Sequence, residues 1–144
     1  MFARALAEPV IGAGGDRDQG KRPLMGEVSS RLADRVVVTS DNPRNEKPEA
    51  IISAIVTGMY GDYQVELDRT AAITYAINKA KPSDIVLIAG KGHETYQIFA
   101  HKTVDFDDRK VAQELLKAAV NRPLSKLAPA KEFEGDLIEA LFLD

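Results

Sequence analysis

Two runs of almost unbroken aliphatic residues, Arg35–Thr39 (RVVVT) and Ile85–Ala89 (IVLIA), constrain this chain more than any other feature. A strand with one face in water alternates apolar and polar side chains, so a continuous run predicts a strand covered on both faces. Around these runs lie segments of helical period. Pro23–Ala33 carries Leu24, Val28 and Leu32 at four-residue spacing, expected to face inward, with Pro23 suited to a first helical turn. Pro48–Met59 puts Ile51, Ile55 and Met59 on one stripe with Ile52 and Val56 beside it, a broad buried face. Asp68 suits the N-cap of Arg69–Ala80, whose apolar side holds Ala72, Ile73, Ala76 and Ile77. Pro9–Ala13 reads as a strand end, and Val65–Leu67, Tyr96–Phe99 and Thr103–Phe106 as short strands. Asp107 or Asp108 opens a helix through Val120, with Val111, Leu115 and Ala119 inward. Strand alternating with helix across short polar turns predicts an α/β fold: a three-layer, mostly parallel, Rossmann-like sheet with helices on both faces.

A length of 144 residues suits one domain. It is expected over residues 1–121, followed by a tail over 122–144 in which Phe133, Leu137 and Leu141 would form a terminal amphipathic helix. Met1–Glu8 does not look like a full opening segment, so the first strand is expected to be clipped. A formal net charge of −3 argues against nucleic acid and anionic membranes as partners, since both require clustered positive charge. The absence of cysteine excludes disulfides, iron–sulfur clusters, thiolate zinc sites and a cysteine nucleophile. With His93 and His101 as the two histidines, no metal site is expected. No apolar run reaches membrane-spanning length, and Glu8 and Pro9 interrupt any signal-peptide pattern, so a cytoplasmic domain is the expectation.

Three loops follow directly on strands: 12–21, Ser40–Arg44 and Gly90–Glu94. In an open α/β sheet, ligands gather beyond the carboxyl ends of the strands, where these loops converge. Gly15–Arg22 (GDRDQGKR) approaches the phosphate-loop pattern GxxxxGK[ST], but Arg22 stands where a magnesium-binding hydroxyl belongs. Asp16 and Asp18 add negative charge to a loop that would have to cradle phosphates. A loop offering Arg17, Lys21 and Arg22 to an anionic ligand is the favoured reading; the alternative is a strand-to-helix turn with solvated charges. Asp41-Asn42-Pro43-Arg44 is ordinary turn chemistry. It also holds Arg44 on a proline-stiffened turn, preorganised to grip a carboxylate at two points. In Gly90-Lys91-Gly92-His93-Glu94, the glycines admit a ligand close to the backbone and Glu94 can accept from an ammonium. Arg44 for a carboxylate and Glu94 for an amine describe the two ends of a free amino acid; a glycine turn with a solvated lysine is the alternative. His93 has no serine, cysteine or paired carboxylate nearby in sequence as a catalytic partner, and no catalytic residue is assigned.

These segments are familiar in combination. GAGGDRDQGKRPLMG (Gly12–Gly26), TSDNPR (Thr39–Arg44), DRTAAI (Asp68–Ile73), IAGKGHETYQ (Ile88–Gln97) and FDDR (Phe106–Arg109) occur in order at familiar separations. Over about Val10 to Val120 they closely resemble the C-terminal domain of the Mur ligases that add meso-diaminopimelate. The resemblance implies an ATP- and Mg2+-dependent ligase of peptidoglycan synthesis. In it, the glutamate γ-carboxylate of UDP-MurNAc-L-Ala-D-Glu is phosphorylated, and the amine of meso-diaminopimelate attacks the acyl phosphate. By the same resemblance, Arg17, Asp41, Asn42, Pro43, Arg44, Gly90 and Glu94 would contact meso-diaminopimelate, while Asp16 and Lys21 would face the nucleotide. Relatives that look lysine-specific carry other residues where this chain has Arg44. The chain lacks the GxxGK[ST] loop, the modified lysine and the uridine-nucleotide site of the family's other two domains, so alone it is expected to be inactive. A non-catalytic amino-acid-binding module, or a relic fragment that keeps the pocket, is the alternative; an unrelated nucleotide-binding regulator is disfavoured by the defective phosphate loop.

Overall fold

The computed structural model describes residues 6–120 and 141–143. Among them, the elements run β1 (Ala7–Ile11), α1 (Lys21–Leu32), β2 (Val36–Val38), α2 (Pro48–Val56), β3 (Tyr63–Val65), α3 (Arg69–Lys79) and β4 (Ile85–Ala89). Then follow β5 (Tyr96–Ile98), β6 (Thr103–Asp105), α4 (Asp108–Val120) and β7 (Leu141–Leu143). The main sheet has the order β3-β2-β1-β4-β7, with every pair of neighbours parallel. β5 and β6 form a separate antiparallel hairpin.

Strand β2 behaves as its composition requires, whereas β4 buries Val86 and Ile88 on one face and leaves Ile85 on the other face 44% exposed. Val36 and Val38 join Ile11 in a layer with Ile51, Ile52 and Ile55 of α2. Val37 points the other way and, with Val10, Val86 and Ile88, packs on Ala72, Ile73, Ala76 and Ile77 of α3 and Ala112 of α4. Adjacent residues of one strand therefore feed opposite cores, which is why β2 tolerates no polar alternation. Asp68 caps α3 as expected, its carboxylate accepting from the Ala71 amide at 2.7 Å.

Helix α1 departs from its sequence pattern. Leu24, Val28 and Leu32 are exposed, and the buried residues of this helix are Arg22 and Gly26. The two sets share a four-residue spacing but differ by two positions, about 200° around the helix. Gly26 decides which face turns inward: a Cβ there would stand 2.2 Å from the Ile55 carbonyl of α2, so the helices meet backbone to backbone. A larger residue on that face would force them apart. α4 uses Val111, Ala112, Leu115 and Leu116 against the α3 core: Ala112 and Leu116 join the expected Val111 and Leu115, and Ala119 is not part of this cluster.

At the termini, β1 starts at Ala7, ahead of the expected Pro9, and lies centrally with β2 and β4 as neighbours. The terminal helix expected from Phe133, Leu137 and Leu141 is corrected at its end. Leu141–Leu143 runs as an edge strand beside Leu87–Ala89, where the backbone ladder of β4 gives three successive apolar residues a partner. Residues 122–140 lie outside the described residues.

One ion pair joins both halves of the sheet. Arg69 is 1% exposed and Asp108 is 2% exposed. The guanidinium donates two bonds of 2.8 Å to the Asp108 carboxylate, a bidentate pair between the first turns of α3 and α4. It also donates to the Ser40 and Ala89 carbonyls, each at 3.1 Å, where β2 and β4 give way to their loops. Removing one partner leaves an uncompensated buried charge, so Asp108→Ala should lower the unfolding free energy by about 3–5 kcal/mol. Urea denaturation checks this, and pairing Asp108→Leu with Arg69→Met should restore a substantial part of the loss.

Candidate functional site

The site opens at the carboxyl ends of β1, β2 and β4. Because β1 leads through α1 to β2 on one side while β4 lies on its other side, a crevice forms at this change of direction. A cleft of about 470 Å³ there is lined by Gly12–Gly14, Arg17, Asp18, Lys21, Arg22, Met25, Asp41, Ala89 and Gly90. All three loops singled out in the sequence reach it or its rim.

The first two loops are fastened together. The Gly15 amide donates to the Asn42 carbonyl at 2.8 Å. Asn45 donates to the Asp16 carboxylate at 2.8 Å, and the Asp16 amide donates to Glu46 at 2.8 Å. Glu46 also receives both terminal nitrogens of Arg22 at 2.8 Å, while Arg22 reaches the Gly14 carbonyl at 3.2 Å. Arg22 is thus a buried strut and is not offered to a ligand, a correction of the anion-binding role considered for it. A serine or threonine at this position could not span to Glu46, which accounts for the departure from the phosphate-loop pattern. Arg17 and Lys21 remain exposed at the cleft.

The third loop is fastened to the second by Lys91. It is not the solvated lysine of the alternative reading: it is 2% exposed. Its ammonium lies 3.0 Å from Asn42 Oδ1, 2.6 Å from the Tyr96 carbonyl and 3.2 Å from Asp41 Oδ1, with Glu94 at 3.8 Å. Asn42 Oδ1 accepts a second bond from the Ile98 amide, and Asn42 Nδ2 donates to Glu94 at 2.8 Å. Gln97 adds bonds to the Ser40 hydroxyl and the Asp41 carbonyl. Two carboxylates, Asp41 and Glu94, therefore flank one buried cation. A lone lysine between two glycines gives no sign of this in sequence, because Asn42, one of the acceptors that bury it, is forty-nine residues away.

Asp41, Asn42, Pro43, Arg44, Gly90 and Glu94 are brought together, with Arg17, Asp16 and Lys21 on the adjoining loop. Asn42 and Pro43 are buried and build the turn. Arg44 stands at φ +51°, a left-handed conformation in which non-glycine residues are strained. Its amide donates to the Ile98 carbonyl at 3.0 Å, and its guanidinium donates to the Gly15 carbonyl at 3.0 Å. Among the described residues that guanidinium meets no carboxylate. A half-buried cation held on backbone oxygens, beside the cleft-lining Gly14, suits an incoming carboxylate.

The model for the Mur ligase glutamate ligase domain matches residues 5–92. The chain belongs to the Mur ligase family. It is 52% identical over 114 residues to a UDP-N-acetylmuramoyl-L-alanyl-D-glutamate–2,6-diaminopimelate ligase of Prochlorococcus marinus, covering 78% of this chain and 23% of that protein. A relative of the same name from Nitrosomonas europaea is 58% identical over 108 residues, covering 74% of this chain and 21% of that protein. A solved structure of a ligase of this name superposes with a TM-score of 0.76 at 39% identity, over 81% of this chain and 24% of that one. The chain thus spans about a quarter of the length of these relatives. Among the described residues of this Mur ligase domain, no helix is long and apolar enough to cross a membrane.

The Arg22–Glu46 strut predicts an acid response. The Arg22 hydrogen bonds, followed by the Asp16 amide, hold the Glu46 carboxyl down at about 2, against an ordinary 4.5. A depressed folded-state value contributes stability that is complete above about 4.5 and is lost as pH falls toward about 2. Glu46→Gln should therefore be less stable than wild type at neutral pH, with the gap closing through that window. Urea midpoints measured across pH check the sign; a gap that stays constant would contradict it.

Proposed function

We propose that this domain is the meso-diaminopimelate-binding part of an ATP-dependent ligase that joins the amino acid to UDP-MurNAc-L-Ala-D-Glu in cytoplasmic peptidoglycan synthesis. The reading is supported above all by an Arg44 guanidinium that meets backbone oxygens but no carboxylate among the described residues, on the same loop as the Asp41 carboxylate and next to the loop that carries Glu94. Arg44, with Arg17 nearby, would receive a carboxylate of the amino acid, while Asp41 and Glu94 would receive an ammonium. Gly90, at φ +114° on the cleft wall, would let the ligand lie against the backbone. Asn42 and Pro43 would act by setting the turn.

ATP supplies the γ-phosphoryl group that activates the glutamate carboxylate. Asp16 and Lys21, at the opening of α1, would face the nucleotide, and ATP and Mg2+ would be held mainly by the central domain of the complete ligase. The fit is partial: Lys21 is exposed and suited to a phosphate oxygen, whereas the Asp16 carboxylate already accepts from Asn45. The contribution of this domain to rate would be positioning, bringing the amine to the acyl phosphate once the domains close. The amine attacks the acyl carbon, the carbon–oxygen bond to phosphate breaks, and an amide, ADP and phosphate result. Alone, the chain is expected to release no phosphate from ATP in the presence of both substrates.

A non-catalytic amino-acid-binding module would share this pocket, and would bind meso-diaminopimelate equally well without reconstituting ligation when the other two domains are supplied. Binding is tested by NMR titration of the chain with meso-diaminopimelate, with L-lysine as comparison. Saturable shifts at Arg17, Asn42, Arg44 and Glu94 that are weaker with lysine are expected; a folded spectrum that does not respond contradicts the reading. Arg44→Ala should cost about 1.5–3 kcal/mol in binding meso-diaminopimelate and much less in binding lysine, which lacks the second carboxylate. Isothermal titration measures both affinities, and an unchanged gap would remove Arg44 from the role.

A further inference from the structure

We infer that Gly14 is a specificity-determining residue of this pocket, because its missing side chain is the space in which the Arg44 guanidinium rests. The inference rests on the amino-acid-binding reading above.

The base of the Arg44 side chain is fixed from three directions. Pro43 precedes it with a buried ring, the Arg44 amide is bonded to the Ile98 carbonyl, and the Glu46 amide closes the turn onto the Pro43 carbonyl at 3.0 Å. Its far end is fixed by the other loop: Arg44 Nη1 donates to the Gly15 carbonyl at 3.0 Å and approaches the Asn42 carbonyl at 3.5 Å. The Gly15 amide is bonded to that same Asn42 carbonyl, so the two loops and the guanidinium form one hydrogen-bonded knot.

A Cβ on Gly14 would stand 2.8 Å from Arg44 Nη1 and 3.4 Å from Arg17 Cγ. Gly14 is thus the gap between the two arginines that would share the ligand's carboxylates. Its neighbour Gly15 differs in kind: a Cβ there would lie 1.8 Å from the Pro43 carbonyl, a clash with backbone that undoes the docking of the loops. At Gly14 the obstructing atom is the far end of a long side chain, held by hydrogen bonds alone. An added methyl can be accommodated by moving the guanidinium off its seat, with the backbone left in place. The position therefore controls where the cation sits while contributing little to the fold. Its effect falls on the ligand that needs the cation most, the one with a carboxylate at both ends.

The test is Gly14→Ala in the 144-residue chain, read by affinity for meso-diaminopimelate and for L-lysine and by thermal unfolding. The expected result is a preference for meso-diaminopimelate reduced by about fivefold to tenfold, with lysine affinity and unfolding temperature near wild type. A preference that persists in the variant overturns the inference. Adding Gly14→Ala to Arg44→Ala should change neither affinity further, since the obstructing atom is gone; a full second loss would show that Gly14 acts by another route. If Gly14→Ala alone fails to fold, recovery of folding in the double variant supports competition for one space, and failure of both overturns it. If wild type binds neither amino acid, the underlying reading fails. The inference is then judged by a crystal structure of Gly14→Ala: a guanidinium still seated on the Gly15 carbonyl refutes it, and a displaced one upholds it.

Discussion

The Arg69 guanidinium donates four hydrogen bonds inside the protein, two to Asp108 and one each to the carbonyls of Ser40 and Ala89. Those carbonyls mark where β2 and β4 stop being strands, and therefore where the second and third functional loops begin. A peptide oxygen at the end of a parallel strand has lost its ladder partner, and burying it unpaired is costly. One planar side chain satisfies two such oxygens on strands either side of β1 and is itself neutralised by the first turn of α4. The loops consequently leave the sheet from anchored positions, and the site inherits the rigidity of the core.

Beyond those anchors, the site is held by a small number of charges used economically. Glu46 and Arg22 clamp the first loop to the second, and Lys91 clamps the third to the second. Asn42 stands at the junction, its side chain bonded to Lys91, Glu94 and the Ile98 amide and its carbonyl to Gly15. With these groups consumed internally, Arg17 and Lys21 are left exposed at the cleft, and among the described residues Arg44 is left on backbone oxygens without a carboxylate. The distinction between structural and available charge is a matter of partners and depth, since both kinds are arginines and lysines on neighbouring loops.

Much of the architecture was legible in the residues. The run VVV was legible as a strand covered on both faces, IVLIA as a strand though only one of its faces is fully buried, and Asp68 at the head of an apolar-periodic segment as a cap. Loops placed after such strands must gather at one edge of a parallel sheet, so the neighbourhood of the site followed from order alone. Helix α1 was misread because four-residue spacing marks a face without saying which of two such faces is packed. Gly26 carried the relevant signal, but its meaning depends on the Ile55 carbonyl in another helix. The role of Lys91 was hidden for a similar reason: sequence shows a charged residue between glycines, and burial depends on acceptors supplied by distant segments.

By itself, the sequence determined the layer order of the fold, the helix starts, and the set of residue types able to recognise a molecule bearing both carboxylate and ammonium groups. These follow from periodicity and local chemistry, which act over a few residues. Tertiary structure decided which cations are spent and which remain: Arg22 and Lys91 are consumed by acceptors twenty-four and forty-nine positions away, while Arg44 is seated on the Gly15 carbonyl. It also made a strand of Leu141–Leu143, because β4 presents a backbone ladder that three apolar residues can complete. The physical reason is the same in each case. Desolvation is set by what surrounds a group in space, and a linear pattern carries that only where neighbours in space are also neighbours in the chain.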